Sequence, residues 1–253
     1  MLRVRLLGEL EVHVGTRLVP TPASRRAWAL LGWLALHPGE HPRGTLAARF
    51  WPDVLDSSAR ASLRSAAWNL RRALGPDADG ALLTDRDRIG LRCESDLAAF
   101  DAHLAAGERE AAVALCDGPL LAGFDDDWVL EARDRHAERL STALAELADA
   151  APTPQAAAAL ARRRLALDPL DEAAARDLMR RLAEAGDRAG AFSVYDRLAE
   201  RLRTQLGLAP SAATRDAAAQ LRAGAPPAVP AQAPAAPAAG RWPRGRAAAR
   251  PTG

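Results

Sequence analysis

The N-terminal part of the chain alternates apolar and polar residues in two short runs. The first run covers positions 2–6 and the second covers positions 10–14, with Gly8 between them and Gly15 after the second. Alternation with a period of two is typical of β-strands, and glycine is common where strands turn. The pattern predicts two small antiparallel strands at the N-terminus.

A helical period follows these strands. Apolar residues recur three and four positions apart from Ala27 to Leu34, and Ser24 stands where a helix N-cap is expected. The same period predicts a short helix at 43–50 and a longer helix at 57–74, with Asp56 as the N-cap of the longer one.

The segment from residue 82 to residue 92 has the pattern of a β-hairpin. Two apolar runs, 82–84 and 88–92, flank the polar turn Asp85-Arg86-Asp87. A small sheet, three helices and a terminal hairpin follow one another in the order of a winged helix-turn-helix.

The rest of the chain, from residue 96 to about residue 222, has a helical pattern throughout. The lengths of the predicted helices and the positions of the breaks between them are typical of helix pairs that repeat about every 34 residues. One such pair places Gly186 at the turn between its helices and puts Ala191 and Tyr195 at the small and aromatic positions of the second helix. This pattern predicts a tetratricopeptide-like domain.

The chain therefore divides into three predicted parts. We expect an α+β winged helix-turn-helix at 1–92, an all-α tetratricopeptide-like domain at 93–222 and a disordered C-terminal tail at 223–253. The tail holds 12 alanines and 7 prolines, too little bulky apolar side chain to offset the entropy lost on ordering.

Charge separates the same three parts. All 34 basic residues of the chain are arginine. Residues 1–92 hold 14 arginines and 9 acidic residues, residues 93–222 hold 16 and 23, and residues 223–253 hold 4 and none. A basic N-terminal part followed by an acidic one predicts that a polyanion binds the N-terminal part.

Several functional classes are excluded by composition and spacing. No stretch approaches the roughly 18 apolar residues of a membrane helix, and the N-terminus lacks the pattern of an export signal, so we expect a cytoplasmic protein without a membrane partner. Cys93 and Cys116 are too few for a disulfide framework or a metal clip. No nucleophile, base or metal-ligand spacing is present, so we expect neither an enzyme nor a cofactor.

The predicted helix 57–74 carries the residues that indicate a binding chemistry. Its apolar side consists of Ala59, Leu63, Ala67, Leu70 and Leu74. The remaining surface has no acidic residue and offers side chains that can bond phosphates or base edges, namely Arg60, Arg64, Ser65, Trp68, Asn69, Arg71 and Arg72. A helix that enters a DNA major groove needs such a surface, because phosphates line the groove and base edges are read by hydrogen bonds.

Two arginines of the hairpin extend this interpretation. Arg86 at the tip and Arg88 on the returning strand are placed to lie along a minor groove or the phosphate backbone. Asp85 and Asp87 beside them count against insertion of the tip. The plain alternative is a solvated arginine face, since arginine supplies every basic residue of this chain.

Short motifs in both halves resemble one bacterial family. In the first half, residues 26–31, 46–51, 59–64 and 70–75 resemble the OmpR-like winged-helix domain of the SARP-type antibiotic regulatory activators. In the second half, Leu-Asp-Pro-Leu-Asp-Glu at 167–172 and Leu-Gly-Leu-Ala-Pro-Ser at 206–211 stand in the order and spacing of the family's bacterial transcriptional activator domain, as do 185–188 and 195–198.

The resemblance implies a transcriptional activator that binds double-stranded DNA at repeated promoter sites and recruits RNA polymerase. At the matching positions, Arg60, Arg64, Arg71 and Arg72 would contact DNA, and the helical half would form a homodimer or contact the transcription machinery. Members of the family usually have polar or basic residues at the positions of Trp68 and Asn69, and often Asn or Thr at those of Ala61 and Ser62. The base preference of the family therefore does not carry over.

A second interpretation comes from another functional class. The protein would be a non-enzymatic scaffold that binds proteins through its tetratricopeptide-like half, with a degenerate winged helix. Trp68 on the outer face favours this interpretation slightly, since exposed aromatic residues also mark protein contacts. The acid-free face of helix 57–74 favours DNA, because a docking surface for protein does not require it.

Overall fold

The computed structural model of the protein describes residues 1–78 and 80–224. Its strands are β1 (Leu2–Arg5), β2 (Glu11–Val14), β3 (Arg17–Leu18), β4 (Gly39–Pro42), β5 (Leu82–Thr84), β6 (Arg88–Leu91) and β7 (Glu94–Ser95). Its α-helices are α1 (Arg25–Leu36), α2 (Arg43–Phe50), α3 (Asp56–Leu74), α4 (Asp96–Ala105), α5 (Arg109–Ala114), α6 (Asp127–Asp149), α7 (Pro154–Leu167), α8 (Glu172–Glu184), α9 (Arg188–Arg201) and α10 (Ala212–Ala223).

The N-terminal sheet is built on the two predicted strands. β1 and β2 pair antiparallel with Leu2 opposite Val14, which confirms the prediction from alternation. β3 extends the sheet beyond β2, and β7 pairs parallel with β1 at the opposite edge. The sequence does not predict β3 or β7, because two residues are too few to show a period.

The three predicted helices of the N-terminal part are present. Ser24 caps α1, since its hydroxyl accepts a hydrogen bond from the Ala27 N–H at 3.2 Å. α3 packs against α1 and α2 through a buried side that consists of Ala59, Leu63, Ala66, Ala67, Leu70 and Leu74. The predicted apolar side of this helix is confirmed, with Ala66 in addition.

β4 is a further strand that the sequence does not predict. The segment His37-Pro38-Gly39 indicates only the end of α1, but the chain continues directly into β4, which pairs antiparallel with β6. The predicted hairpin of β5 and β6 is confirmed, with Leu82 opposite Leu91. It is part of a three-stranded sheet in which β6 is central.

The second half of the chain is helical, as predicted. α7, α8 and α9 follow one another through short connections and pack in sequence, so neighbours run antiparallel. Gly186 forms the turn between α8 and α9 with a φ of +85°, a conformation that favours glycine. Ala191 is fully buried in α9, and Tyr195 is partly buried on the same helix.

The buried apolar residues form two clusters. The first extends from Leu2 to Leu144 and so includes residues of α4, α5 and α6 together with the N-terminal sheet and helices. The second extends from Ala158 to Leu221. The fully buried residues of the two clusters thus separate between α6 and α7, although these two helices pack against each other. The domain limits at residues 92 and 222 stay predictions.

Most of the predicted disordered tail, residues 225–253, lies outside the described residues. No helix in the described part of the chain is both long and apolar enough to cross a membrane.

Candidate nucleic-acid interface

The exposed face of α3 is the candidate nucleic-acid interface. The predicted residues Arg60, Arg64, Ser65, Trp68, Arg71 and Arg72 are exposed, and Asn69 is half-buried at the edge of the face. The helix is roughly 28 Å long at 1.5 Å per residue. No acidic residue follows Asp56 along it, so the face is cationic for most of its length.

The first arginine of this face forms an ion pair within its own helix. A guanidinium nitrogen of Arg60 lies 2.8 Å from a carboxylate oxygen of Asp56, and both side chains are exposed. An exposed pair of this kind stabilises a helix by less than about 1 kcal/mol, so a phosphate can replace the carboxylate.

The predicted capping role of Asp56 is wrong. The helix begins at Asp56 itself, Leu55 occupies the cap position, and no side chain caps this end. The Asp56 carboxylate instead faces Arg60, one turn along the helix.

An aromatic ring accompanies the arginine near the C-terminal end of the face. The Arg72 guanidinium lies over the Trp68 ring, 5.4 Å from its centre. Trp68 is 58% exposed, so the ring belongs to the surface and not to the core. A guanidinium over an aromatic face is held by cation–π attraction, which restricts the orientation of both side chains.

Arg64 occupies the middle of the same face. Its side chain is exposed, and it takes part in none of the ion pairs formed within residues 1–78 and 80–224. Ser65 lies beside it and is also exposed. Both side chains can therefore turn towards a ligand without breaking a contact to another charged group.

The hairpin lies against the C-terminal end of α3. The Arg71 guanidinium donates a hydrogen bond to the Thr84 hydroxyl of β5 and so ties the helix to the hairpin. Arg86 and Arg88 are both exposed on the hairpin. The structure thus brings the predicted residues of the helix and of the hairpin onto neighbouring elements.

Asp85 has a structural role in the hairpin turn. Its carboxylate accepts hydrogen bonds from the N–H groups of Asp87 and Arg88, at 2.7 and 2.6 Å. These two backbone hydrogen bonds lower the pKa of the Asp85 carboxyl below its ordinary value. Asp85 is therefore a turn-forming residue of the kind common in hairpins.

Sequence reasoning missed the residue that holds the turn in place. Arg43, at the start of α2, donates its backbone N–H to the Asp87 carbonyl at 2.8 Å and its Nε–H to the Asp85 carbonyl at 3.0 Å. These contacts join positions more than forty residues apart, and no local pattern signals them. Arg43 fixes the hairpin relative to the helices α2 and α3.

A second missed residue joins the N-terminal sheet to the helical half. The two carboxylate oxygens of Asp96 accept hydrogen bonds from the N–H groups of Leu6 and Leu7, at 2.7 and 2.9 Å. Burial raises the pKa of the Asp96 carboxyl, although these hydrogen bonds act in the opposite direction. A carboxylate at the first turn of α4 thus satisfies the two backbone N–H groups that directly follow β1, and links α4 to the N-terminal sheet.

The segment before α6 is held against α1. Arg133 donates hydrogen bonds to the carbonyls of Leu120, Leu121 and Phe124, at 2.7, 2.6 and 2.8 Å. Leu121 is fully buried and packs against Gly32 of α1, where a side chain would come within 3.2 Å of it. The N-terminal part is therefore completed by residues from beyond position 92.

No group of three or more histidine, cysteine, aspartate or glutamate side chains in the described part of the chain is arranged to hold a metal ion. What the α3 face and the hairpin offer is a surface of arginines, a hydroxyl, an amide and one indole. Such a surface suits hydrogen bonding and charge neutralisation of a polyanion.

The chain was compared with known families and structures. A model of the bacterial transcriptional activator domain matches residues 87–222. The structure of Mycobacterium tuberculosis EmbR in complex with a low-affinity phosphopeptide is similar, with a TM-score of 0.64 and 24% sequence identity. The match covers 89% of this chain and 66% of the EmbR chain. This chain therefore spans slightly less than two thirds of the length of EmbR in that structure. None of the curated proteins matches the chain significantly.

Proposed function

The chain belongs to the bacterial transcriptional activator domain family, which confirms the resemblance to the SARP-type regulators, and on that premise we propose that it is a sequence-specific DNA-binding activator. In this proposal the mechanism is recruitment and not catalysis. Its site of action is then bacterial DNA in the cytoplasm.

The observation that carries the proposal is the exposed face of α3. Four arginines stand on this face, and no acidic residue follows Asp56 on the helix. We assign the reading of the major groove to Arg64, Ser65, Trp68, Asn69 and Arg72. Arg and Asn side chains form the two-pronged hydrogen bonds that distinguish guanine and adenine. Arg60 and Arg71 are assigned to phosphates.

The hairpin of β5 and β6 is the proposed wing of a winged helix-turn-helix at residues 1–92. Arg86 and Arg88 would bond the phosphate backbone, since exposed arginines neutralise phosphates without reading sequence. Asp85 and Arg43 support this role because they hold the turn beside α2.

The helical half at residues 93–222 is the proposed tetratricopeptide-like domain. Its net negative charge makes it a poor DNA surface, so its proposed partners are a second copy of the chain or RNA polymerase. A polymerase contact also has support in the N-terminal part. The loop between α2 and α3 exposes Val54 at 47% and Leu55 at 80%, beside the DNA-facing helix.

One observation favours a protein-binding scaffold as the second candidate. Trp68 is exposed, and a large exposed aromatic side chain is also typical of protein interfaces. In that case the arginines of α3 would be a solvated face, and DNA affinity would be low and independent of them.

The test is the salt dependence of binding of the full chain to duplex DNA, measured by fluorescence anisotropy. Each phosphate contact contributes close to one unit to the slope of log affinity against log salt. Replacing Arg60, Arg71 and Arg88 together by glutamine should make this negative slope shallower by about three units. The matched control is Arg135→Gln, which removes an exposed arginine of α6 and should leave the slope unchanged. An identical slope for both variants would favour the scaffold.

A further inference from the structure

A groove runs between α7 and α9, over α8, in the second cluster of the chain. Its volume is about 300 Å³, at the lower end of the range of roughly 300 to 1,000 Å³ for ligand sites. Its floor is apolar and consists of Leu165, Leu178, Val194 and Leu198. Three of these are buried in the helical core, so the floor is a fixed part of the fold.

Three arginines surround this apolar floor. Arg162 stands on α7, and Arg197 and Arg201 stand one turn apart on α9. The described residues that line the groove include no acidic side chain. All three guanidinium groups are exposed, and none belongs to the ion pairs found within residues 1–78 and 80–224.

This arrangement is unusual for its surroundings. Residues 93–222 contain more acidic residues than arginines, and the neighbouring Arg164, Arg180 and Arg203 all form ion pairs. Like charges one turn apart on a helix destabilise it, so Arg197 and Arg201 gain nothing from each other. Among residues 1–78 and 80–224, the side chain of Arg197 donates a hydrogen bond only to the Ser193 carbonyl of its own helix, at 3.0 Å.

The helix directions place the three charges along both sides of the groove. α7 and α9 both run antiparallel to α8 and therefore run parallel to each other. Arg162 lies one turn before Leu165 and Ala166, and Arg201 lies one turn after Arg197. A ligand in the groove would thus meet an apolar floor with a cation on one side and two on the other.

We propose that this groove binds an acidic peptide segment of a partner protein, with aliphatic side chains on the floor and carboxylates on the three arginines. Carboxylates form strong charge-assisted hydrogen bonds with guanidinium groups, often with two bonds at once. The proposal goes beyond DNA recognition and does not depend on it.

Charge argues against two other occupants. The segment beyond residue 224 carries four arginines and no acidic residue, so its charge has the same sign as that of the groove rim. A DNA backbone would match the charge but would leave the apolar floor uncovered, and burial of that floor is what favours a peptide. The test below distinguishes binding of an acidic peptide from binding of these other ligands.

The test uses the full chain and a short fluorescent peptide in which a pair of leucines is flanked by glutamates. Arg197→Gln and Arg201→Gln should each weaken binding about tenfold, the scale of one lost charge-assisted contact. Arg135→Gln removes an exposed arginine of α6, away from the groove, and should leave the affinity unchanged. A second peptide has glutamine in place of glutamate. It should bind the wild-type chain as weakly as the acidic peptide binds the Arg197→Gln/Arg201→Gln double variant.

A second pair of variants tests the groove without removing an arginine. Ala166 is exposed on α7 and lines the groove, so a longer side chain there should not disturb the core. Ala166→Glu places a competing carboxylate among the arginines and should abolish binding, whereas Ala166→Gln, of equal size, should weaken it much less.

Three results would overturn the proposal. The first is equal peptide affinity of wild type and the Arg197→Gln/Arg201→Gln double variant. The second is equal affinity of Ala166→Glu and Ala166→Gln. The third is a loss of DNA affinity in the arginine variants without loss of peptide affinity, which would assign the groove to the DNA backbone. DNA affinity that stays unchanged in all of these variants, together with lost peptide binding, supports the peptide site.

Discussion

The Arg72 guanidinium lies 5.4 Å from the centre of the Trp68 ring on the exposed face of α3. Both side chains are exposed, so the pair presents guanidinium N–H donors and an apolar ring together on the surface of the helix. In the proposed complex with DNA, this pairing would let the indole orient the arginine that reaches a base.

We predict that Trp68 acts on DNA affinity through Arg72. Trp68→Ala should change the free energy of unfolding by less than about 0.5 kcal/mol, since the ring is mostly exposed. It should weaken DNA binding, and a double-mutant cycle with Arg72→Ala should give a coupling energy of about 0.5 to 1 kcal/mol. Additive effects of the two substitutions would contradict the pairing.

Arg64 is predicted to make a base contact. Arg64→Ala should weaken binding to a selected duplex by about 1 to 3 kcal/mol without changing the thermal unfolding midpoint, because the side chain is exposed. The measurement is anisotropy with the selected duplex and with a scrambled one. An equal loss for both duplexes would reassign Arg64 to a phosphate.

Gly90 is predicted to be required for the close approach of β4 and β6. A Cβ atom at this position would lie 2.5 Å from the Gly39 carbonyl oxygen. Gly90→Ala should therefore destabilise the protein by about 1 to 3 kcal/mol, the usual cost of overpacking.

The control is Gly44→Ala in α2, where an added Cβ atom would lie in open space. Alanine favours a helix over glycine, so this variant should be neutral or more stable by up to about 1 kcal/mol. Denaturant unfolding measures both variants, and a stability of Gly90→Ala equal to that of Gly44→Ala would refute the crowding argument.

We predict that a fragment ending at residue 92, the domain limit expected from the sequence, does not fold on its own. A fragment of residues 1–92 lacks Asp96, Leu121 and α6, which complete the first cluster. It should fail to show a cooperative thermal transition by circular dichroism. A fragment of residues 1–150 retains these elements and should unfold cooperatively, and equal transitions for both fragments would show that the first 92 residues are self-sufficient.

Stability is predicted to fall in mild acid because of His136. The side chain is 7% exposed, and the Phe100 ring packs against it edge-on. Its Nδ1 finds no hydrogen-bond partner within the part of the chain that the structure describes. Burial lowers the pKa of this imidazole below its ordinary value of 6.5. The unfolded chain therefore takes up the proton first, and the free energy of unfolding decreases as the pH falls below about 6.5 towards the lower folded value.

The measurement is denaturant unfolding at a series of pH values. His136→Leu should flatten the decrease between pH 6.5 and 5, although it does not remove it, since burial also lowers the pKa of His37. Thr142→Ala is the control, because it changes an exposed side chain of the same helix as His136 that does not titrate and should leave the slope as in wild type. An unchanged slope in His136→Leu would locate the acid sensitivity elsewhere.

Local sequence signals were sufficient for the elements that carry the candidate site. The period of α3 and the glycine that follows it predict both its length and its buried side, because helix burial follows a 3.6-residue repeat. The Asp85 turn and its flanking apolar runs predict the hairpin in the same way.

The contacts that position these elements could not be predicted from local signals. β4, β7, Arg43 and Asp96 act through partners distant in sequence, and nothing in their immediate neighbourhood indicates those partners. The prediction that Asp56 caps α3 was wrong because local signals near a helix start are ambiguous. Several residues near a helix start can serve as the cap, and the arginine one turn later attracts the carboxylate away from the backbone.

In vitro selection of duplex DNA by the full chain tests the central claim most directly, run in parallel with the variant in which Arg64, Trp68 and Arg72 are replaced by alanine. The wild-type chain should enrich a repeated motif, and the variant, folded to the same extent, should enrich none. A wild-type chain that enriches no motif, or a variant that enriches the same motif, would contradict the assignment of α3 as the DNA-reading helix.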